Sequence, residues 1–368
     1  MKIVCSKNAL LKGLNTVSRA VPVRTTLDIL KCILIKADPE GITLTANDTT
    51  LGIETRIRER VQETGTIAID ASLFTNIIRK LPDDDVYIET DSDNGVSIKC
   101  QKASFVIAGR GTDDFIALPD VDPLSEITVS EFTVKEMINQ VIFSIAESDL
   151  NAAMSGVYVE VLNNTLKMTT LDGHRISIRV SELKENYEDV SAIVPGKTFS
   201  DLSRIITGGI EDEMHLLFSK NHIIFEFGAT RMVSRLIEGQ YFRIESMLRS
   251  EYETHVKINK KDFLECLDRS TLFINESDKK PVILTITDEE MNLKLRSGIG
   301  AMNENLLISK EGQDIKIAFN PRLLMDALRV IEDEEIDMYL VKYNYPCTIK
   351  DQAGTYSYVV LPVNFTEE

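Results

Sequence analysis

Three arginines placed alike are the most visible chemistry in this sequence. Arg79, Arg204 and Arg329 stand 125 residues apart, and seven residues ahead of them lie Ser72, Lys197 and Arg322. On a helix, positions seven apart share one stripe. One such stripe is an ordinary solvated face. The same guanidinium recurring three times in an acidic chain points to a shared polyanionic partner. A second set, Asp172, Gly173, His174 and Arg175, puts a base and an electrostatic group on one tight turn, as a hydrolase needs. Asp–Gly is equally the signature of a plain turn between strands.

Nothing else in the chain offers catalysis. No phosphate-binding loop, GxGxxG, GxSxG or HExxH pattern occurs. The four histidines, His174, His215, His222 and His255, lack ligand spacing with cysteines or carboxylates, so no metal or cofactor is expected.

The elements that carry the arginines are copies of one stretch, 67–82 (IAIDASLFTNIIRKLP), 192–207 and 317–332. In each a β-rich run meets a helix start at Asp70, Pro195 or Asn320, followed by an apolar pattern of helical period. Leu73, Phe74, Ile77, Ile78 and Leu81 recur as Leu323, Leu324, Ala327, Leu328 and Ile331. Phe199, Leu202 and Ile206 keep that face in the middle copy. Other helices are predicted over 6–20, 133–146 and 259–273. Lys12 and Arg19, again seven apart, lie across from Leu10, Leu14 and Val17, whereas Glu265 stands where the third copy would repeat Lys12.

The rest reads as short strands. Asn94–Gly95 marks a hairpin, and 158–180 reads as three strands turning at Asn163–Asn164 and Asp172–Gly173. Linkers are expected at 118–126 and within 238–253. Each repeat is then two helices on antiparallel sheet, an α+β domain, with bounds expected at 1–122, 127–245 and 252–368.

The net charge of −17 and pI near 4.8 argue against a generally basic nucleic-acid surface. The six helix candidates nevertheless sum to +7, leaving −24 for the remainder. That distribution fits a protein meeting DNA at one surface only. Five scattered cysteines without a CxxC pair favour a reducing, cytoplasmic setting. No apolar run approaches the roughly 20 residues of a membrane helix, and the first residues do not read as a signal peptide. The terminal SYVVLPV (357–363) is either a last core strand or the wall of an apolar groove for a partner's peptide.

In order along the chain, LLKGLNTVS (10–18), RTTLDIL (24–30), RKLP (79–82), LDGHR (171–175), VPGK (194–197), NE (275–276) and YVVLP (358–362) resemble the bacterial DNA polymerase III beta subunit, the DNA sliding clamp family. The resemblance implies three clamp domains per chain and a head-to-tail homodimer closed into a ring, helices inside and sheets outside. It implies a non-enzymatic processivity factor. The ring would encircle double-stranded DNA without sequence preference and tether the replicative polymerase, clamp loader and repair proteins through short peptides.

By matching position, Arg24, Ser72 and Lys197 fall at DNA-contact places, with Ser72 replacing a basic residue. Lys12, Arg19, Arg79, Arg204, Arg322 and Arg329 join them from the stripe. The peptide pocket maps to Met154, Leu171, Gly173, His174, Arg175, Ile176, Phe242, Met247, Val359, Leu361, Pro362 and Val363. Leu171 stands where relatives often have Thr, and Phe242 where they often have Pro. Asn151, Ala152 and Ala153 lack the basic and aromatic groups some relatives carry. The dimer contact maps to Phe105, Leu272 and Phe273, each equally suited to a core. The alternatives are a peptide-binding scaffold of the same fold that does not encircle DNA, and a hydrolase using Asp172 and His174.

Overall fold

The structure is a computed structural model, and it describes residues 1–147, 151–245, 247–248, 251–274 and 280–365. The NE pair at 275–276 lies outside the described residues. All six predicted helices form: α1 (Lys7–Val17), α2 (Ala71–Lys80), α3 (Glu131–Val141), α4 (Gly196–Ile205), α5 (Lys260–Thr271) and α6 (Pro321–Val330). Their starts follow from capping chemistry. Asp70 accepts from the Leu73 N–H at 2.8 Å, Asn259 from Asp262 at 3.1 Å and Asn320 from Arg322 at 3.1 Å, satisfying amides that a helix start leaves unpaired. Pro195 holds the same place before α4 without an acceptor.

The chain divides into two compact units that do not follow the repeats. One comprises Met1–Phe132 with Asp201–Leu236, the other Thr133–Ser200 with Ile237–Glu368. The first unit holds a five-stranded sheet and an eight-stranded sheet. In the latter, Thr230–Arg235 of the second repeat pairs antiparallel with Leu51–Ile57 of the first, Ser234 opposite Leu51. The second unit holds a ten-stranded sheet in which Arg175–Pro195 pairs with Tyr356–Val360, Arg175 opposite Val360. Each repeat therefore completes its sheet edge with its neighbour's strand, leaving fewer backbone groups unpaired. Periodicity in sequence counts repeats, but hydrogen bonding decides what packs together.

The helices bury one face and leave the other in water. α2 buries Phe74, Ile77 and Ile78, and α6 buries Leu324, Met325, Ala327 and Leu328. Leu73 departs from the expected face and is 48% exposed, because it sits in the first turn on the solvent side. α1 lies so close to its sheet that a Cβ on Gly13 would stand 2.8 Å from Ile57 Cδ1.

Two strand readings need correction. Asn163–Asn164 is no turn, since Gly156–Leu171 runs through it as one strand. Asn163 adopts φ 54° and the register shifts around it, so the left-handed preference of Asn is used in a bulge. A long strand, Gly300–Gly312, went unread because its asparagines, glycines and charges mask the alternation it actually has.

Candidate functional site

In the first unit, α1 and α2 pack side by side and present one basic face. Lys12, Arg19, Arg24 and Arg79 are all exposed. Arg79 is steadied there, its Nη2 donating to Asn15 Oδ1 at 3.4 Å and its Nη1 to Asn76 Oδ1 at 3.3 Å. Val23, beside Arg24, is fully exposed at the rim of a cavity of about 480 Å³ lined also by Lys31, Ser72, Thr75 and Arg79. Arg204 is exposed on α4, two turns beyond exposed Lys197. In the second unit, Arg322 and Arg329 lie on the exposed face of α6, with Arg329 Nη1 3.7 Å from Asp326 Oδ1. All eight cationic positions read from the sequence thus face solvent on helices or the loop after α1. Such groups attract phosphate by charge and carry no base information.

The residues mapped to a peptide pocket converge in the second unit. Leu171, Ile176 and Val359 form a buried apolar floor with Ile178 and Ile244, against which Met154 and Phe242 pack. Met247, Leu361 and Val363, mapped to the same pocket, are apolar and stand 50%, 42% and 40% exposed. The terminal segment is pinned by main-chain bonds, Leu361 N to His174 O at 2.9 Å and Val363 N to Ala318 O at 2.7 Å.

Sequence reasoning missed Tyr158, Tyr241, Ile244 and Leu248. Tyr241 stacks on Tyr158 with centroids 4.7 Å apart, meets Phe242 edge-on, and donates to Thr169 O at 3.3 Å; burial pushes its phenol pKa up. The apolar spacing of Tyr241, Ile244 and Leu248 inside the supposed linker was the available signal.

The turn at 172–175 is a scaffold. Gly173 has φ 88°, a conformation a side chain resists. Asp172 Oδ1 accepts from the backbone N–H of His174 and Arg175 at 3.0 and 3.2 Å, and Oδ2 from Arg175 Nε at 2.8 Å. That carboxylate is spent on the turn, and the His174 side chain points to solvent. Arg175 is mostly buried. Its Nη1 donates to Asp326 Oδ2 at 2.6 Å, its Nη2 to Phe143 O at 2.6 Å, and the guanidinium lies 5.3 Å from the Phe143 ring centroid. Burial works against its charge, but Asp326, Tyr358 and Asp172 together outweigh this and raise its pKa.

Of the three dimer positions, Phe105 and Leu272 are exposed at 38% and 74%, while Phe273 packs against its own core, where a Cβ on Gly300 would meet its ring at 2.8 Å. Phe105 lies on Ala103–Ala108, the outermost strand of the five-stranded sheet. The 300–306 part of Gly300–Gly312 bonds to Glu290–Ser297 on one side and to no strand on the other among the described residues. Among the described residues no group of three or more His, Cys, Asp or Glu is placed to hold a metal ion, and no helix is long and apolar enough to cross a membrane.

Three family models match the chain in succession: the DNA polymerase III beta subunit N-terminal domain over 1–119, the central domain over 128–242 and the C-terminal domain over 245–364. A solved structure from Eubacterium rectale, provisionally described as a DNA polymerase III beta subunit, is 52% identical, covers 99% of this chain and 100% of its own, and superposes with a TM-score of 0.96. The DNA polymerase sliding clamp of Bacillus subtilis is 28% identical over the whole of both chains with a TM-score of 0.95. The beta sliding clamp of Staphylococcus epidermidis is 29% identical over 99% of each chain. Matched along its length by all three domain models, this chain belongs to the DNA polymerase III beta subunit family, the bacterial sliding clamps.

Proposed function

We propose that this protein is a DNA sliding clamp: a homodimeric ring that encircles duplex DNA and tethers the replicative polymerase and other DNA-processing proteins. The carrying observation is the recurrence of an exposed basic helix face in all three repeats of a chain whose net charge is −17. Weak, sequence-independent phosphate contacts suit a ring that must slide, and topology supplies retention. The acidic remainder disfavours DNA elsewhere on the surface.

Two open strand edges support the ring. Ala103–Ala108 with Phe105, and 300–306 beside Leu272, each offer backbone groups for strand addition by a second copy. Head-to-tail pairing of unlike edges closes a dimer. The domain bounds under this reading are 1–122, 127–245 and 252–368. Short peptides of polymerase, clamp loader and repair proteins dock on the Leu171, Ile176 and Val359 floor. The protein is a non-catalytic, cytoplasmic processivity factor, a reading supported by the commitment of the Asp172 carboxylate to its own turn.

Sedimentation velocity together with plasmid retention tests this. The expected result is a species of twice the 41.4 kDa chain, held on nicked circular plasmid after loading and released on linearisation. A monomer that binds peptides but is never retained on circles would leave the non-encircling scaffold in its place.

A further inference from the structure

The Asp326 carboxylate touches two arginines with different oxygens. Oδ2 accepts from Arg175 Nη1 at 2.6 Å, while Oδ1 lies 3.7 Å from Arg329 Nη1. Arg175 belongs to the strand that floors the peptide groove, and Arg329 to the exposed face of α6. We infer that Asp326 is a positioning residue that couples the peptide groove to the DNA-facing arginines of the third repeat, an inference that rests on the clamp reading proposed above.

Strand geometry carries the first half. Arg175 and Ile176 are consecutive in a strand, so their side chains leave opposite faces. Ile176 enters the apolar floor opposite Val359, and Arg175 turns to α6. Whatever fixes the Arg175 guanidinium therefore fixes the backbone of the groove floor and of the turn at Gly173. Asp326, Asp172 and the Phe143 carbonyl share that task, and Asp326 alone among them also reaches an exposed cation.

The two contacts differ in strength, which gives the coupling a direction. The Arg175 side chain is 11% exposed and its contact short; the Arg329 side chain is 56% exposed and its contact long. A backbone phosphate can draw Arg329 away cheaply. The carboxylate then loses a competing cation and engages Arg175 more fully, ordering the floor before a peptide arrives. DNA and peptide should therefore favour each other, reciprocally, as linkage requires.

The first repeat lacks the bridge. Asn76 occupies the position of Asp326 on α2 and steadies Arg79 by a neutral amide. Leu51, which opens the strand after the equivalent turn, takes the place of Arg175 and is buried as an apolar residue. Asp201 holds the matching place on α4 of the middle repeat, so what sets the third repeat apart is the arginine on the groove strand.

The test uses the full-length protein and a fluorescein-labelled peptide copied from the clamp-binding segment of the same organism's replicative polymerase. Its Kd is measured at low salt with and without a saturating short DNA duplex. The duplex should tighten the peptide about fivefold or more. Asp326→Asn and Arg329→Gln should bring that ratio near one, and Asp326→Glu should return it. Thermal melting reads the folding of each variant separately. A wild-type ratio of one, or an unchanged ratio in both variants, would overturn the coupling while the clamp reading stands. Failure of the wild type to bind any peptide would remove the groove assignment and the coupling together.

Discussion

Lys260 Nζ donates to the Ile331 carbonyl at 2.6 Å, and Lys7 Nζ does the same to the Leu81 carbonyl at 2.5 Å. The first residue of one helix thus closes the C-terminal end of its partner in the first and third repeats, where the helix leaves carbonyls unpaired and partial negative charge. The middle repeat inverts the chemistry. Its first helical residue is Glu131, whose Oε2 accepts from the Thr207 and Gly208 amides at 2.9 and 3.2 Å. Lys260→Met keeps most of the side-chain volume and removes the charged donor. We expect a loss of about 2 kcal/mol, read as a lower urea midpoint with unchanged slope.

Gly173 and Gly354 separate strain from site. Both have positive φ, 88° and 69°, and at both an added Cβ would meet nothing within 4 Å. Alanine at either position should cost about 1 kcal/mol through the left-handed backbone alone. Only Gly173→Ala should also weaken binding of a polymerase-derived peptide, because its turn holds the carbonyl that receives Leu361 N–H through neighbouring His174. Equal melting temperatures with unequal peptide affinities are the expected pattern. Equal affinities would detach the turn from the groove.

What the sequence revealed and concealed follows from range. The helices were legible because caps and apolar period are local: Asp70 and Asn320 announce their helices from within four residues of the first buried side chain. The basic stripe was legible because it repeats. Leu73 misled because a first-turn residue can match the period and still face water. Asn163 misled because the same left-handed tendency serves turns and bulges. The pairing of Arg175 with Asp326, 151 positions apart, has no local trace. Nor has the crossing of sheets between repeats, which rests on pairings such as Thr55 with Thr230.

The stripe makes a quantitative claim about salt. For every phosphate that the protein no longer neutralises, the slope of log affinity against log salt should shrink by about 0.9. The Arg79→Ala, Arg204→Ala, Arg329→Ala triple variant removes three exposed guanidiniums per chain, none of them buried in a core. Its duplex affinity should fall most at low salt, its slope should flatten, and its retention time on nicked circles should shorten. The oligomeric state by sedimentation should not change. An unaltered slope would show that these arginines do not meet phosphate.

Glu136 on α3 offers a stability change in the opposite direction from the others. Burial raises its pKa first, the nearby Glu332 carboxylate raises it further, and Arg179 offsets only part of this. An acid whose pKa is raised on folding binds its proton more tightly in the native state. Its contribution is therefore most favourable below the ordinary carboxylate range, and is lost as pH rises through the raised value. Near neutral pH the charged form is held against desolvation and a like charge. Glu136→Gln keeps the shape and removes that charge, so the variant should be more stable than the wild type near neutrality. Because the group is only partly buried, screening limits the gain to the order of 0.5 kcal/mol. On acidification the wild type protonates and the two melting curves should converge. If the variant were less stable at neutral pH, the attraction to Arg179 would have to outweigh burial and Glu332 combined, and the direction assigned to this carboxyl would be reversed.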